Sequence, residues 1–104
     1  MPQYLIAYHG GRQPASKEEG MAHMDNWKAW VEGLGDRVVN PGTPLMNPYV
    51  VTGEGVQADN DPMSMKGFAI VKADSIEGAV EIAKTDPFLG VEGTIKVSQM
   101  VEMG

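Results

Sequence analysis

His23, on the inward side of a predicted helix, and Asp36, at the turn that ends that helix, are the residues of this chain whose types and spacing best suit chemistry. A neutral imidazole near pH 7 can take or give a proton, and a carboxylate on its other nitrogen fixes the tautomer and stabilises the charged form. Brought together in a pocket walled by Trp27 or Trp30, such a pair can enolise, dehydrate or dehalogenate a small organic molecule without a cofactor. The plainer alternative is a half-buried histidine bonded to a backbone carbonyl, with Asp36 a turn residue. His9 closes the first predicted strand and either lines the same cleft or lies at the surface. Tyr8 offers a hydroxyl to a ligand or simply packs, as does Tyr49. Arg12 and Arg37 stand near element ends, where each can hold a ligand carboxylate or phosphate, or be solvated or ion-paired.

The helix that must carry His23 begins at a capping box, Ser16 with Glu19, so it is expected from about Lys17 and is stopped by Gly35. Met21, Met24, Trp27, Val31 and Leu34 recur at spacings of three and four and predict one apolar stripe. His23 falls at the margin of that stripe, beside Trp27 at about 40°, and should point inward.

Around this helix the chain reads as alternating elements. Gln3 to His9 is an uninterrupted apolar strand, and Arg37 to Val39 is a brief second one halted by Pro41 and Gly42. Pro48 to Thr52 predicts a strand able to form a hairpin with its neighbour, in a region that Pro41, Pro44 and Pro48 make irregular or edge-like. Gly53 to Ser64 reads as a polar loop. Met65 to Ala73 is a strong strand, Asp74 with Glu77 forms a second capping box, and Ile76, Ala79, Val80 and Ala83 carry a second helical stripe stopped by Asp86 and Pro87. Ile95, Val97, Gln99 and Val101 then alternate with polar residues as a half-buried strand. This order fits one α+β domain spanning residues 1–104, a ferredoxin-like βαββαβ sandwich with an antiparallel sheet and both helices on one face. The other face would leave apolar side chains in water, which predicts a homodimer packed sheet to sheet.

Composition narrows the classes. A net charge of -6 with eight thinly spread Lys and Arg offers no basic face for nucleic acid or an anionic membrane. No apolar run approaches a membrane span, and the start of the chain lacks a basic region before its apolar residues, so a cytoplasmic protein is expected. The absence of cysteine removes disulfides, thiolate metal sites and cysteine nucleophiles. Two histidines without a paired spacing preform no metal site, and Asp59, Asn60 and Asp61 lack the glycine of a calcium loop. No cofactor or metal is therefore expected.

The chain resembles the YCII-related (YciI-like) proteins, a group of small dimeric α+β barrel domains. The resemblance runs from the Tyr4 to Tyr8 strand through the His23 helix and Trp30 to Gly35, then Gly42-Thr43-Pro44-Leu45, Gly67-Phe68-Ala69-Ile70-Val71, Ala73-Asp74-Ser75, the Ala79 to Ala83 helix, Asp86-Pro87 and Gly93 to Val97. It implies the same ferredoxin-like fold paired across a dimer, and an active-site cleft with a histidine, matched by His23, and an aspartate, matched best by Asp36. The Asp-Gly-Pro-Phe tetrapeptide of one branch is absent, with Asp61-Pro62-Met63 in the corresponding loop. Two functions follow from different classes: a cofactor-independent enzyme using His23 and Asp36 on a small organic acid, or a non-catalytic dimeric module that binds a small molecule or serves assembly.

Overall fold

A computed structural model describes residues 1–103. Four strands form one antiparallel sheet: β1 (Gln3–Gly10), β2 (Val38–Asn40), β5 (Met65–Lys72) and β6 (Gly93–Gln99), in the order β2-β5-β1-β6. Helix α1 (Lys17–Leu34) joins β1 to β2, and α2 (Ile76–Ala83) lies between β5 and β6. A separate two-stranded hairpin, β3 (Tyr49–Thr52) with β4 (Gly55–Ala58), is inserted between β2 and β5. This is the ferredoxin-like α+β arrangement expected, with an added arm.

Strand alternation builds the core. Tyr4, Ile6 and Tyr8 of β1 point to the helices and meet Val71, Ala69 and Gly67 of β5 in register. From β6, Ile95 and Val97 pack on the same cluster, while Lys96 and Ser98 stay exposed. The helices close over this face through Leu34, Ala79, Ile82 and Ala83.

Both helices start at serines. Ser16 Oγ accepts from the Glu19 amide at 3.1 Å, as the capping box predicts. At α2 the cap is Ser75, accepting from the Gly78 amide at 3.1 Å, rather than Asp74, one residue earlier.

Helix α1 is seated differently from its apolar pattern. Its inner side is formed by His23, Trp27, Trp30 and Leu34, which span only about 60° at 100° per residue. Met21 is 59% exposed and Met24 is exposed as well. Two large indoles reach the sheet where the shorter stripe would not, and the helix rotates toward them. Trp30 is pinned there by donating from Nε1 to Thr85 Oγ1 at 2.8 Å, just past the end of α2.

The segment read as a polar loop over 53–64 contains β4, so β3 pairs forward with β4 and not back toward β2. Gly53 and Glu54 supply the two-residue turn between them. No helix is long and apolar enough to cross a membrane among the described residues.

Candidate active site

A cleft of about 330 Å³ opens between α1 and the end of the sheet. His23 and Trp27 reach into it from α1, Tyr8 from β1 and Phe88 from the one-turn segment η2 (Pro87–Val91). Lys66, Gly67 and the loop holding Pro41, Thr43 and Pro44 form the far wall. Most of the lining is apolar and aromatic, with a few polar groups converging on it, the usual make-up of a small-molecule site.

Glycine sets that far wall. Gly42 has φ +76°, and a Cβ there would sit 1.6 Å from the Phe68 carbonyl oxygen, so the loop approaches β5 more closely than any side chain permits. Pro44 then bridges to Gly67, and the Leu45 amide donates to the Lys66 carbonyl at 2.9 Å.

Beneath the cleft lies a buried acid. Asp86 is only 3% exposed; its Oδ2 accepts from the Tyr8 hydroxyl at 2.5 Å and its Oδ1 from the Phe88 amide at 2.9 Å, which caps η2. Burial pushes the Asp86 carboxyl above its ordinary value, while the Tyr8 hydroxyl, the Phe88 amide and the nearby charge of His23 pull it back. Burial first, and the Asp86 carboxylate second, drive the Tyr8 phenol far above its ordinary range, with Trp27 acting the other way. Tyr8 therefore holds its proton and acts as a donor. Its ring meets Phe88 at a centroid distance of 5.0 Å and an angle of 48°, an edge-tilted contact that keeps the phenol in place.

The acid beside His23 is thus Asp86. Asp36 lies exposed in the one-turn η1 (Gly35–Arg37), outside the cleft, and the expected His23–Asp36 pairing is not the arrangement found. Gly35, at φ +60°, turns the chain away from α1 so that Asp36 leads into β2 on the sheet edge. Tyr8 lines the cleft, and its hydroxyl is engaged by Asp86. His9 points elsewhere, its Nδ1 3.0 Å from the Met63 carbonyl. Arg12 forms ion pairs with Glu19 and, at 3.9 Å, with Glu92; Arg37 donates to the Leu34 carbonyl at 3.3 Å. Neither arginine lines the cleft. No direct hydrogen bond joins His23 to Asp86 among the described residues, and no group of three or more His, Cys, Asp or Glu capable of holding a metal ion occurs among them.

Asp86, beneath the cleft, and Lys66, in its wall, are charged residues that sequence reasoning did not place at the site. Asp86-Pro87-Phe88 does carry a signal, since an Asp before Pro at the first position of a helical turn is a capping pattern. Its contact with Tyr8, 78 residues away, has no local signature.

The buried acid gives the stability of the fold a distinctive pH dependence. In the unfolded chain Asp86 titrates near its ordinary 3.8, and in the folded protein it titrates higher. The native state therefore binds more protons between those two values, so this group's contribution is fully present below the unfolded value and is lost as pH rises through the folded one. Tyr8→Phe removes a donor that restrains the rise, so its loss of stability should extend to higher pH than in the wild type. Urea unfolding from about pH 4 to pH 8 reads this out; superimposable profiles would show that Tyr8 does not restrain the carboxyl.

The strand order and the two helices on one sheet face define a ferredoxin-like α+β protein, with an aromatic-walled cleft that holds an imidazole above a buried carboxyl. Among solved structures it is similar to the 5-chloro-2-hydroxyhydroquinone dehydrochlorinase of Burkholderia phenoliruptrix AC1100, in complex with 2,5-dihydroxybenzoquinone. The identity is 20%, the match covers 95% of this chain and 93% of that one, and the TM-score is 0.60. This likeness shows the fold. No protein-family model matches the chain, and no curated protein matches its sequence.

Proposed function

We propose that the chain is a YCII-related, cofactor-independent enzyme doing acid–base chemistry of the lyase, isomerase or dehalogenase type on a small organic anion with a flat, unsaturated ring. The observation that carries this reading is the placement of the His23 imidazole in an aromatic-walled cleft above the Tyr8–Asp86 pair. His23 takes the substrate proton, and the Tyr8–Asp86 hydrogen bond fixes the floor of the cleft beneath it. For a chlorinated ring the balance is that of an elimination: ring tautomerisation moves a hydroxyl proton onto the chlorine-bearing carbon. His23 then takes the proton of a second ring hydroxyl, that electron pair forms a carbonyl and shifts a ring double bond, and chloride leaves with the carbon–chlorine pair. Trp27 and Phe88 offer faces for a planar ring, and Lys66 supplies the one positive charge of the lining. That the structurally similar dehydrochlorinase holds a dihydroxybenzoquinone supports this substrate class.

The same reading includes a homodimer. Leu5, Ala7, Phe68 and Ile70 lie side by side on the sheet face away from the helices, and two copies stacked on this face would cover them.

Because both Asp86 oxygens already accept hydrogen bonds, a second reading, a non-catalytic dimeric binding module, has an observation of its own. Binding is common to both. Titration with 2,5-dihydroxybenzoquinone should quench tryptophan fluorescence saturably through Trp27, after correction against free tryptophan. Lys66→Met should weaken binding about tenfold, as expected when one charged contact is lost. Non-saturating quenching, identical in the variant, would remove this ligand class from the cleft.

A further inference from the structure

Apart from tyrosines, two polar side chains are buried among the described residues, Ser64 and Asp86. Each is hydrogen-bonded to a residue of the cleft. Asp86 holds Tyr8 from beneath, and the Ser64 hydroxyl accepts from Lys66 Nζ at 2.9 Å in the far wall.

Ser64 is itself held in place just before β5 begins. Its amide donates to the Asp61 carbonyl at 3.0 Å, and Asp61 Oδ1 accepts from the Met63 amide at 2.8 Å, so the turn over 61–64 is closed twice. The Met63 carbonyl lies 3.0 Å from His9 Nδ1, which ties the turn to the end of β1. Lys66 then falls at a bulge in β5, where the register steps from Gly67 opposite Tyr8 to Met65 opposite His9. A bulge frees the extra residue from the ladder and re-aims its side chain, and the Leu45 amide anchors the Lys66 carbonyl at 2.9 Å. Backbone and ammonium of this lysine are both fixed.

The group that holds the ammonium is neutral. Lys66 forms no ion pair among the described residues, and the Asp61 carboxylate is turned to a backbone amide instead. A hydroxyl occupies one of the three ammonium donors and adds no charge, so the positive charge stays uncompensated and two donors are left for a ligand. Beside an apolar, aromatic lining, such a charge attracts an anion more strongly than it would in water.

We propose that the Ser64 hydroxyl positions the Lys66 ammonium as an anion subsite, so that the cleft selects the ionised form of a hydroxylated ring over a neutral ring of the same kind. Lys66 touches the ligand; Ser64 acts through it, as a positioning residue. This rests on the small-molecule reading of the cleft given above, and it adds which ionic form is bound and what places the charge that selects it.

The test compares two probes by corrected tryptophan quenching at neutral pH: 2,5-dihydroxybenzoquinone, whose enolic hydroxyls ionise readily, and the neutral 2,5-dimethoxybenzoquinone. Wild type, Ser64→Ala, Lys66→Met and the double variant are titrated with each. Lys66→Met should weaken the anion about tenfold and the neutral probe less than about twofold. Ser64→Ala should weaken the anion about threefold, leave the neutral probe within about twofold, and add nothing in the Lys66→Met background, where the charge it positions is gone. Thermal melts check that each variant is folded, and Ser64→Cys replaces Ser64→Ala if that one is not. Equal loss for both probes in the Ser64 variant, or losses that add in the double variant, overturns Ser64 as a positioning residue. An anion-to-neutral affinity ratio unmoved by Lys66→Met overturns the subsite and leaves the cleft reading standing, whereas a wild type that binds neither quinone overturns both.

Discussion

Replacing His23 by alanine is expected to lower turnover of a chlorinated hydroxyhydroquinone by about 10² to 10⁴, the range for loss of a positioned general acid or base. Chloride release measured at saturating substrate reads the effect directly. Stability should change little, because the side chain is half-buried and forms no hydrogen bond to the core among the described residues. Asp86→Asn should also slow turnover, as the acceptor that holds the Tyr8 hydroxyl beneath the cleft is altered. Asp36→Asn should leave the rate within about twofold, since that residue lies outside the cleft. Undiminished chloride release by the His23 variant would take the imidazole out of the reaction. If neither wild type nor variant releases chloride while the quinone still binds, the binding-module reading gains at the enzyme's expense.

Among Gly-to-Ala changes at the described glycines, Gly42→Ala should be the most damaging. The residue combines a left-handed φ of +76° with a backbone oxygen 1.6 Å from where the methyl would go. Left-handed backbone alone costs an L-residue about 1 to 2 kcal/mol, and here no flexible side chain can yield. The loop must leave β5, taking with it the Pro44–Gly67 bridge and the wall of the cleft. A loss of about 2 to 4 kcal/mol is expected, which for a domain of this size lowers Tm by about 10 to 25 °C. Calorimetry of Gly42→Ala beside Gly33→Ala, where nothing lies within 4 Å, isolates the effect; equal melting temperatures would mean that the loop does not pack as described.

The architecture was legible because its signals are local. The capping serine at Ser16, the apolar run from Tyr4 to Tyr8 and the alternation of Ile95 and Val97 each report on residues a few positions apart. Even so, apolar periodicity misplaced the buried side of α1, since Met21 and Met24 weigh as much as tryptophan in a pattern yet reach a partner less surely. β4 went unread because Gly55 to Ala58 holds one strongly strand-forming residue, Val56, between glycine and glutamine. The inward histidine was visible on the helical wheel. Its companion was not: Asp36 is nearer in sequence, whereas Asp86 is carried to the cleft by α2, η2 and the central strand, a relation set only by tertiary packing.

Between Tyr8 and His9 the pairing with β5 slips from Gly67 to Met65, leaving Lys66 as an extra residue with no opposite number on β1. Deleting that one amino acid would do more than discard a cation. It would close the slip and straighten the stretch of β5 that forms the far wall of the cleft, so the bulge makes this stretch sensitive to a change of length even where it tolerates a change of side chain.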